Sequence, residues 1–90
     1  MEVIVTKTFT KQYLRCPANV RSATRDLITA LENAKSINEI NDCKKLSGFK
    51  NYYRIRIGQY KVGLKQEKPR IFVFCVMERS QIYKFFPPKK

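Results

Sequence analysis

Residues 51–65, NYYRIRIGQYKVGLK, alternate apolar and polar side chains with period 2. Gly58-Gln59 interrupts the alternation, and a two-residue turn that opens with glycine is typical of a β-hairpin, because glycine tolerates positive φ. In this register Ile57 pairs with Tyr60, and directly opposed residues share a sheet face. The pattern predicts an apolar face of Tyr53, Ile55, Ile57, Tyr60, Val62 and Leu64. It predicts a second, basic face of Tyr52, Arg54, Arg56, Lys61 and Lys65.

Before the hairpin, the apolar residues change to helical spacing. The β-branched run at residues 2–6 predicts a first strand. A first helix, capped by Thr8 and ended by Pro17, is predicted from the spacing of Phe9, Tyr13 and Cys16. A second helix, capped by Asn19, has the apolar stripe Val20, Ala23, Leu27, Ala30, Leu31 and Ala34. Residues 36–39, SINE, match a capping box and predict a short third turn.

After the second helix, the order of elements indicates the fold class. Residues 44–51 are interpreted as a loop, and residues 69–77 as a strand that is apolar on both faces and therefore central. The tail is expected to form at most a turn or two of helix before Pro87-Pro88. The order β-α-α-β-β-β predicts an α+β fold in one domain, residues 1–90, with a small antiparallel or mixed sheet. We expect the helical pair to pack on one sheet face and leave the basic face open.

The net charge narrows the classes of partner. Nineteen Lys and Arg residues against seven Asp and Glu residues give a formal charge of +12. Such an excess favours a polyanion, most simply nucleic acid, or an acidic protein. Membrane binding is not expected, because no apolar run approaches the roughly 20 residues that span a bilayer. Residues 1–9 do not match a signal peptide, because Glu2 stands where a basic region is needed.

The cysteine count favours a reducing compartment, and the protein is expected in the cytoplasm. Cys16, Cys43 and Cys75 are an odd number with irregular spacing, which favours free thiols over disulfides. The chain has no histidine, so a zinc site would need three thiolates and a carboxylate from distant positions. No metal or cofactor is predicted, and Cys75 is expected in the core.

Several segments together resemble the RelE/ParE superfamily of bacterial toxins. The resemblance rests on Leu46-x-Gly48, on YRIRI at residues 53–57, on YKV at residues 60–62 and on Arg79-x-x-x-Tyr83. It implies a small α+β toxin whose partner is a cognate acidic antitoxin. Members of the RelE branch are endoribonucleases that cut messenger RNA in the ribosomal A site. Members of the ParE branch inhibit DNA gyrase without catalysis.

The resemblance also implies a set of site residues. RelE-type enzymes have basic or aromatic residues at the places of Arg54, Arg56, Lys61, Arg79 and Tyr83, which are therefore the catalytic candidates. RNA-binding candidates are Tyr52, Lys65, Lys45 and Lys50. The chain departs from the prototype at Met77, where an arginine is found, and at Glu78, where some relatives have histidine. Either departure implies a lower rate of cleavage or a different base.

Without histidine, a metal-independent nuclease must move protons by another side chain. Free tyrosine and lysine have pKa values of about 10, and a dense basic cluster lowers such values. Tyr83 is the preferred proton-transfer residue and Lys61 the second, while Arg54, Arg56 and Arg79 would hold the scissile phosphate. A ribosome could supply the substrate pose that such chemistry requires.

Each of these residues also has a purely structural interpretation. Arg54 and Arg56 could form an ordinary solvated face, and Tyr83 could attach the tail to the sheet beside Phe85 and Phe86. Tyr52 could stack on a base or shield the sheet edge. The alternative functions are a gyrase-inhibiting toxin and a plain RNA-binding module.

Overall fold

A computed structural model describes residues 1–87, so the predicted helix stop at Pro88 lies outside the described part. The first half of this part contains strand β1, two helices and a short 3-10 turn. These elements are β1 (Glu2–Val5), α1 (Lys7–Leu14), α2 (Ala18–Asn33) and the turn Ile37–Glu39. Four strands and a helix follow, namely β2 (Cys43–Lys45), β3 (Tyr52–Ile57), β4 (Tyr60–Glu67), β5 (Arg70–Glu78) and α3 (Arg79–Phe85). The α+β prediction is confirmed.

The strands form one mixed sheet in the order β1-β5-β4-β3-β2. Strand β1 runs parallel to β5, and the other neighbours are antiparallel. The predicted hairpin register is confirmed, since Ile57 pairs with Tyr60 and Gly58 has a φ of 56°. Strand β5 lies between β1 and β4, which confirms its central place in the sheet.

The predicted bounds of some elements are wrong. Thr6, not Thr8, caps α1, because its Oγ1 accepts a hydrogen bond from the Phe9 amide at 3.1 Å. Pro17, not Asn19, is the N-cap residue of α2, as proline needs no amide partner at a helix start. The Ser36/Glu39 capping box is confirmed. Part of the predicted loop at residues 44–51 is strand β2, which is too short to show an alternating pattern.

The main core lies between the sheet and the helical pair α1 and α2. The predicted apolar hairpin face supplies Ile55, Val62 and Leu64, each 3% exposed or less. Two details of the α2 stripe differ from prediction, since Ala30 is exposed and Thr24 is buried. Thr24 satisfies its hydroxyl by donating to the Val20 carbonyl at 2.7 Å, which makes its burial inexpensive.

Helix α3 packs on the opposite face of the sheet, around a second buried cluster of Cys75, Ile82 and Phe86. The expectation that this face stays open is therefore wrong for the part that α3 covers. The basic part of the same face remains accessible, because Arg56 is exposed and Arg54 and Lys61 are half-buried. Among residues 1–87, no helix has the length and apolar character needed to cross a membrane.

Candidate nucleic-acid interface

The β3–β4 hairpin brings basic side chains together on one face of the sheet. Arg56 pairs directly with Lys61, and Arg54 pairs with Gly63. Directly opposed residues have Cβ atoms about 4.5–5.5 Å apart. The structure therefore places three of the predicted catalytic residues, Arg54, Arg56 and Lys61, in one compact group.

This group has no acidic partner within the described chain. In residues 1–87 the ion pairs join Lys65 to Glu67 at 3.0 Å and Arg70 to Glu2 at 2.8 Å. Like charges that directly oppose each other, as Arg56 and Lys61 do, destabilise a sheet by a few tenths to about 1 kcal/mol. The fold gains nothing from this arrangement, which suits the binding of an anion.

Helix α3 adds a tyrosine to the basic group. Lys61 Nζ donates a hydrogen bond to Tyr83 Oη at 3.2 Å, and the same nitrogen lies 4.9 Å from the centre of the Tyr83 ring. Tyr83 is 53% exposed, so its hydroxyl is accessible to a substrate. The Arg79 amide donates to the Gln59 carbonyl at 2.9 Å, which ties the start of α3 to the hairpin turn. The structure thus brings Arg54, Arg56, Lys61 and Tyr83 to one face, and it places the backbone of Arg79 beside the hairpin turn.

The position of α3 depends on a close contact at Gly63. An ideal Cβ on Gly63 would lie 2.7 Å from Cys75 Sγ and 2.8 Å from Phe86 Cδ2. Only a residue without a side chain leaves room for the Phe86 ring, which is 2% exposed. Gly63 and Phe86 therefore hold the helix that carries Tyr83 against the sheet.

The predicted RNA-binding residues Tyr52 and Lys65 already have partners in the protein. The Tyr52 ring packs against Phe86, with ring centres 5.5 Å apart, and against Phe49 and Phe74. Lys65 pairs with Glu67 and lies over the Tyr52 ring at 5.4 Å. The pKa of Lys65 is raised, first by its hydrogen bond with Glu67 and then by Tyr52, so this side chain stays charged. For Tyr52 the packing favours the structural interpretation.

Lys45 and Lys50 do not join the basic group. Lys45 pairs with Tyr53 and so belongs to the face that packs against α1 and α2, whereas Lys44 pairs with Arg54 on the basic face. The structure therefore does not place the RNA-binding candidate Lys45 beside Arg54, and Lys44 was missed because residues 44–51 were interpreted as a loop. Lys45 and Lys50 are exposed and line a cavity of about 270 Å³ under the loop between β2 and β3.

The positions that depart from the RelE prototype lie beside the group. Met77 pairs with Lys61 across β4 and β5 and packs on the cluster under α3. Glu78 pairs with Tyr60, and the pKa of Tyr60 is raised, first by burial and then by that carboxylate. Tyr60 therefore gives up its proton less readily than a free tyrosine does.

The cysteines are all free thiols. Burial raises the pKa of Cys75 to about 11, and burial also raises the pKa of Cys43 to about 11 against the opposing effect of Arg54. Both thiols are therefore protonated and unreactive at neutral pH. Within residues 1–87 no three Cys, Asp or Glu side chains converge in a way that could hold a metal ion.

Comparison with known proteins shows how widely this arrangement of elements is shared. Toxin RelE3 of Methanocaldococcus jannaschii is 36% identical over 88 residues, which are 97% of this chain and 100% of that protein. The RelB-RelE antitoxin-toxin complex from Methanococcus jannaschii matches with a TM-score of 0.82 and 36% identity, over 93% of this chain and 99% of the other.

More distant relatives share the fold. The archaeal RelE-RelB complex from Pyrococcus horikoshii OT3 matches with a TM-score of 0.71 and 23% identity, over 89% of this chain and 96% of the other. The E. coli RelBE toxin-antitoxin complex matches with a TM-score of 0.65 and 20% identity, over 86% and 94%. No family model matches the chain. The full-length match at 36% identity nonetheless decides the assignment, and this protein belongs to the RelE family of toxins.

Proposed function

We propose that this toxin cuts messenger RNA in the ribosomal A site without a metal ion or a cofactor. The observation that carries the proposal is the hydrogen bond from Lys61 Nζ to Tyr83 Oη at 3.2 Å, beside Arg56 on the same face. A phenol that accepts a hydrogen bond from an ammonium group, within a cluster of arginines, is suited to carry negative charge and to take up a proton. Neither structural alternative, a solvated basic face or the attachment of α3 to the sheet, requires a hydrogen bond between Lys61 and Tyr83.

The proposed reaction starts with attack by the ribose 2′ oxygen on the neighbouring phosphorus. The Tyr83 oxygen, as a phenolate, takes the 2′ proton while the new O–P bond forms. The bond from phosphorus to the 5′ oxygen breaks, and that oxygen takes a proton from the Lys61 ammonium. The products are a 2′,3′-cyclic phosphate and a 5′ hydroxyl. The proton on Tyr83 then returns to Lys61 through their hydrogen bond, which restores the starting state.

The arginines stabilise the charge that develops during this reaction. Arg54 and Arg56 project from β3, and Arg79 begins α3, so the phosphate would be held from two elements. Guanidinium groups bind phosphate oxygens in a bidentate manner and cannot lose their proton. Positioned charge of this kind is commonly the largest contribution to catalysis. The ribosome would hold the messenger in the pose for in-line attack.

An acidic antitoxin is the proposed regulator of this activity in the cytoplasm. The solved structures of the Methanococcus jannaschii and Pyrococcus horikoshii relatives are complexes with RelB. A protein with a formal charge of +12 would attract an acidic, partly disordered segment that covers the basic face. Such a segment would neutralise the unpaired group of Arg54, Arg56 and Lys61.

The test of the proposal compares Tyr83→Phe with Tyr53→Phe on translating ribosomes. Each variant loses one phenol oxygen, but Tyr53 lies on β3 and faces the helical pair, where it packs against the main core. Primer extension maps and times the cuts. Tyr83→Phe is expected to slow cleavage roughly a hundredfold or more with little change in binding, whereas Tyr53→Phe is expected to cleave as the wild type does.

Other outcomes identify the alternatives. Equal slowing by both variants would contradict the role of Tyr83. Intact A-site messenger together with blocked gyrase supercoiling would assign the protein to the gyrase-inhibiting class. Binding of RNA without any cleavage would leave a plain RNA-binding module. In each assay magnesium is kept for the ribosome itself.

A further inference from the structure

Lys44 is a basic residue of the same face that takes no part in the proposed reaction. It is the middle residue of β2 and pairs with Arg54, so the two cations are directly opposed across the strands. Lys44 is exposed, and Arg54 is half-buried. The group of cations therefore continues beyond the hairpin to the edge of the sheet.

The surroundings of Lys44 offer it no acidic partner. The ion pairs between described side chains join other residues, as in the pair of Lys65 and Glu67. Lys65 on the same face forms an ion pair with Glu67, whereas Lys44 forms no ion pair with a described residue. With Arg56 against Lys61, and Arg54 against Lys44, the face contains two opposed pairs of like charge. Repeated repulsion of this kind costs stability, which favours a ligand with more than one negative charge.

The geometry of the sheet relates the two pairs to each other. Arg54 and Arg56 are two residues apart on β3, which corresponds to about 6.8 Å along a strand. That step is comparable with the separation of adjacent phosphates in an extended nucleic-acid strand. On its other side Arg54 is paired with Gly63, over which the Phe86 ring packs, so Lys44 is the cation that lies beside Arg54. The two pairs are thus spaced to bind successive phosphates.

We propose that Lys44 binds the phosphate next to the scissile one, and that Arg54, which neighbours both Lys44 and Arg56, contacts both phosphates. The messenger strand then crosses the sheet from α3, where Tyr83 acts, toward the β2 edge. This inference rests on the proposed function, since the scissile phosphate is placed at Arg56, Lys61 and Tyr83. Lys44 is a substrate-binding residue in this arrangement, and its contact is to the RNA backbone rather than to a base, so it contributes equally to all sequences.

The first experiment measures binding without cleavage. A 2′-O-methyl RNA oligonucleotide, which lacks the attacking hydroxyl, is titrated with the wild type, Lys44→Ala, Lys44→Arg and Lys11→Ala at several salt concentrations. Lys11 is an exposed lysine of α1, which packs on the other sheet face, and its removal changes the net charge equally. Lys44→Ala is expected to weaken binding about tenfold and to reduce the slope of log K against log salt by about 0.7, the value for one phosphate contact.

The control variants separate contact from net charge. Lys44→Arg keeps the slope, and Lys11→Ala leaves both affinity and slope close to the wild type. A slope for Lys44→Ala equal to that of Lys11→Ala would overturn the inference. Thermal unfolding checks the fold, and Lys44→Ala is expected to melt no lower than the wild type, because the repulsion with Arg54 is relieved.

The second experiment separates this inference from the proposed function. On translating ribosomes Lys44→Ala should raise KM about tenfold and leave kcat nearly unchanged, as loss of a contact made equally in the ground state and the transition state does. A wild type that cleaves, with Lys44→Ala indistinguishable from it, overturns the role of Lys44 alone. A wild type that does not cleave, with the reduced salt slope still observed, overturns the nuclease and keeps Lys44 as an RNA contact.

Discussion

Replacement of Gly63 by alanine should disable the toxin while most of its fold remains. The new Cβ would lie 2.7 Å from Cys75 Sγ, and 2.8 Å and 2.9 Å from two carbons of the Phe86 ring. Non-bonded carbons normally approach to about 3.5–4.0 Å. Phe86 cannot rotate away freely, since Tyr52 and Phe74 pack against its ring. The ring and the attached helix α3 must therefore move outward.

The cost in stability follows from two opposing effects. Overpacking a buried site costs about 1–3 kcal/mol, whereas alanine in a strand gains about 0.5–1 kcal/mol over glycine. The net loss for Gly63→Ala is about 1 kcal/mol, which lowers the melting temperature of a domain of this size by roughly 4–8 °C. The displacement of α3 separates Tyr83 from Lys61, so cleavage should fall by the same hundredfold or more as in Tyr83→Phe.

The assay pairs A-site cleavage with thermal unfolding and amide hydrogen exchange of α3. Ile71→Val is the matched control, because Ile71 is fully buried in the main core and its truncation costs a similar 0.5–1.5 kcal/mol. This control should lose stability and keep activity. If Gly63→Ala cleaves like Ile71→Val, or melts above the wild type, the contact at Phe86 does not position Tyr83 and the reasoning is refuted.

Burial raises the pKa of Cys75 from 9.0 to about 11, so at pH 8 its thiolate is roughly a hundredfold scarcer than in the unfolded chain. Labelling of Cys75 by iodoacetamide should therefore be about a hundredfold slower in the native protein. Fast labelling of the native protein would contradict this. The pKa of Cys75 is higher in the folded protein than in the unfolded chain. The effect of this thiol on the free energy of unfolding is therefore constant below about pH 9, and the free energy of unfolding falls as pH rises toward 11. Denaturation at several pH values measures this fall. Antitoxin association should slow about tenfold or more from low to high salt, and a rate independent of salt in stopped flow would remove the electrostatic argument. Ser36→Ala removes the acceptor of the Asn38 amide bond and should cost about 1 kcal/mol in urea unfolding with unchanged cleavage; an unchanged unfolding midpoint would show that the capping box adds no stability.

The hairpin could be predicted because its information is local. Period-2 alternation assigns each side chain to a face, and a turn of fixed length pairs the strands, so Arg54, Arg56 and Lys61 were placed together correctly. The helical pair was also predictable from its apolar spacing, although its caps were not. Several residues near a helix start can act as caps, and only the backbone conformation selects Thr6 and Pro17.

Strand β2 could not be predicted from its own residues. Cys43–Lys45 has three residues, too few to show a period, and it becomes a strand only because β3 offers a free edge. As a result Lys45 was named as an RNA-binding candidate without a place in the sheet, and Lys44 was overlooked. A register is a property of the pair of strands, so the sequence of one strand alone does not contain it.

The sequence by itself determined the hairpin, the helical pair, the charge excess and the resemblance to the RelE family. The tertiary structure decided which face α3 covers, because that depends on whether Phe86 fits over Gly63, a contact between residues 23 positions apart. It also decided that Tyr83 meets Lys61. Both contacts join segments that are distant in sequence, and they form because the side chains fit together in three dimensions. The spacing of apolar and polar residues along the chain does not contain that fit.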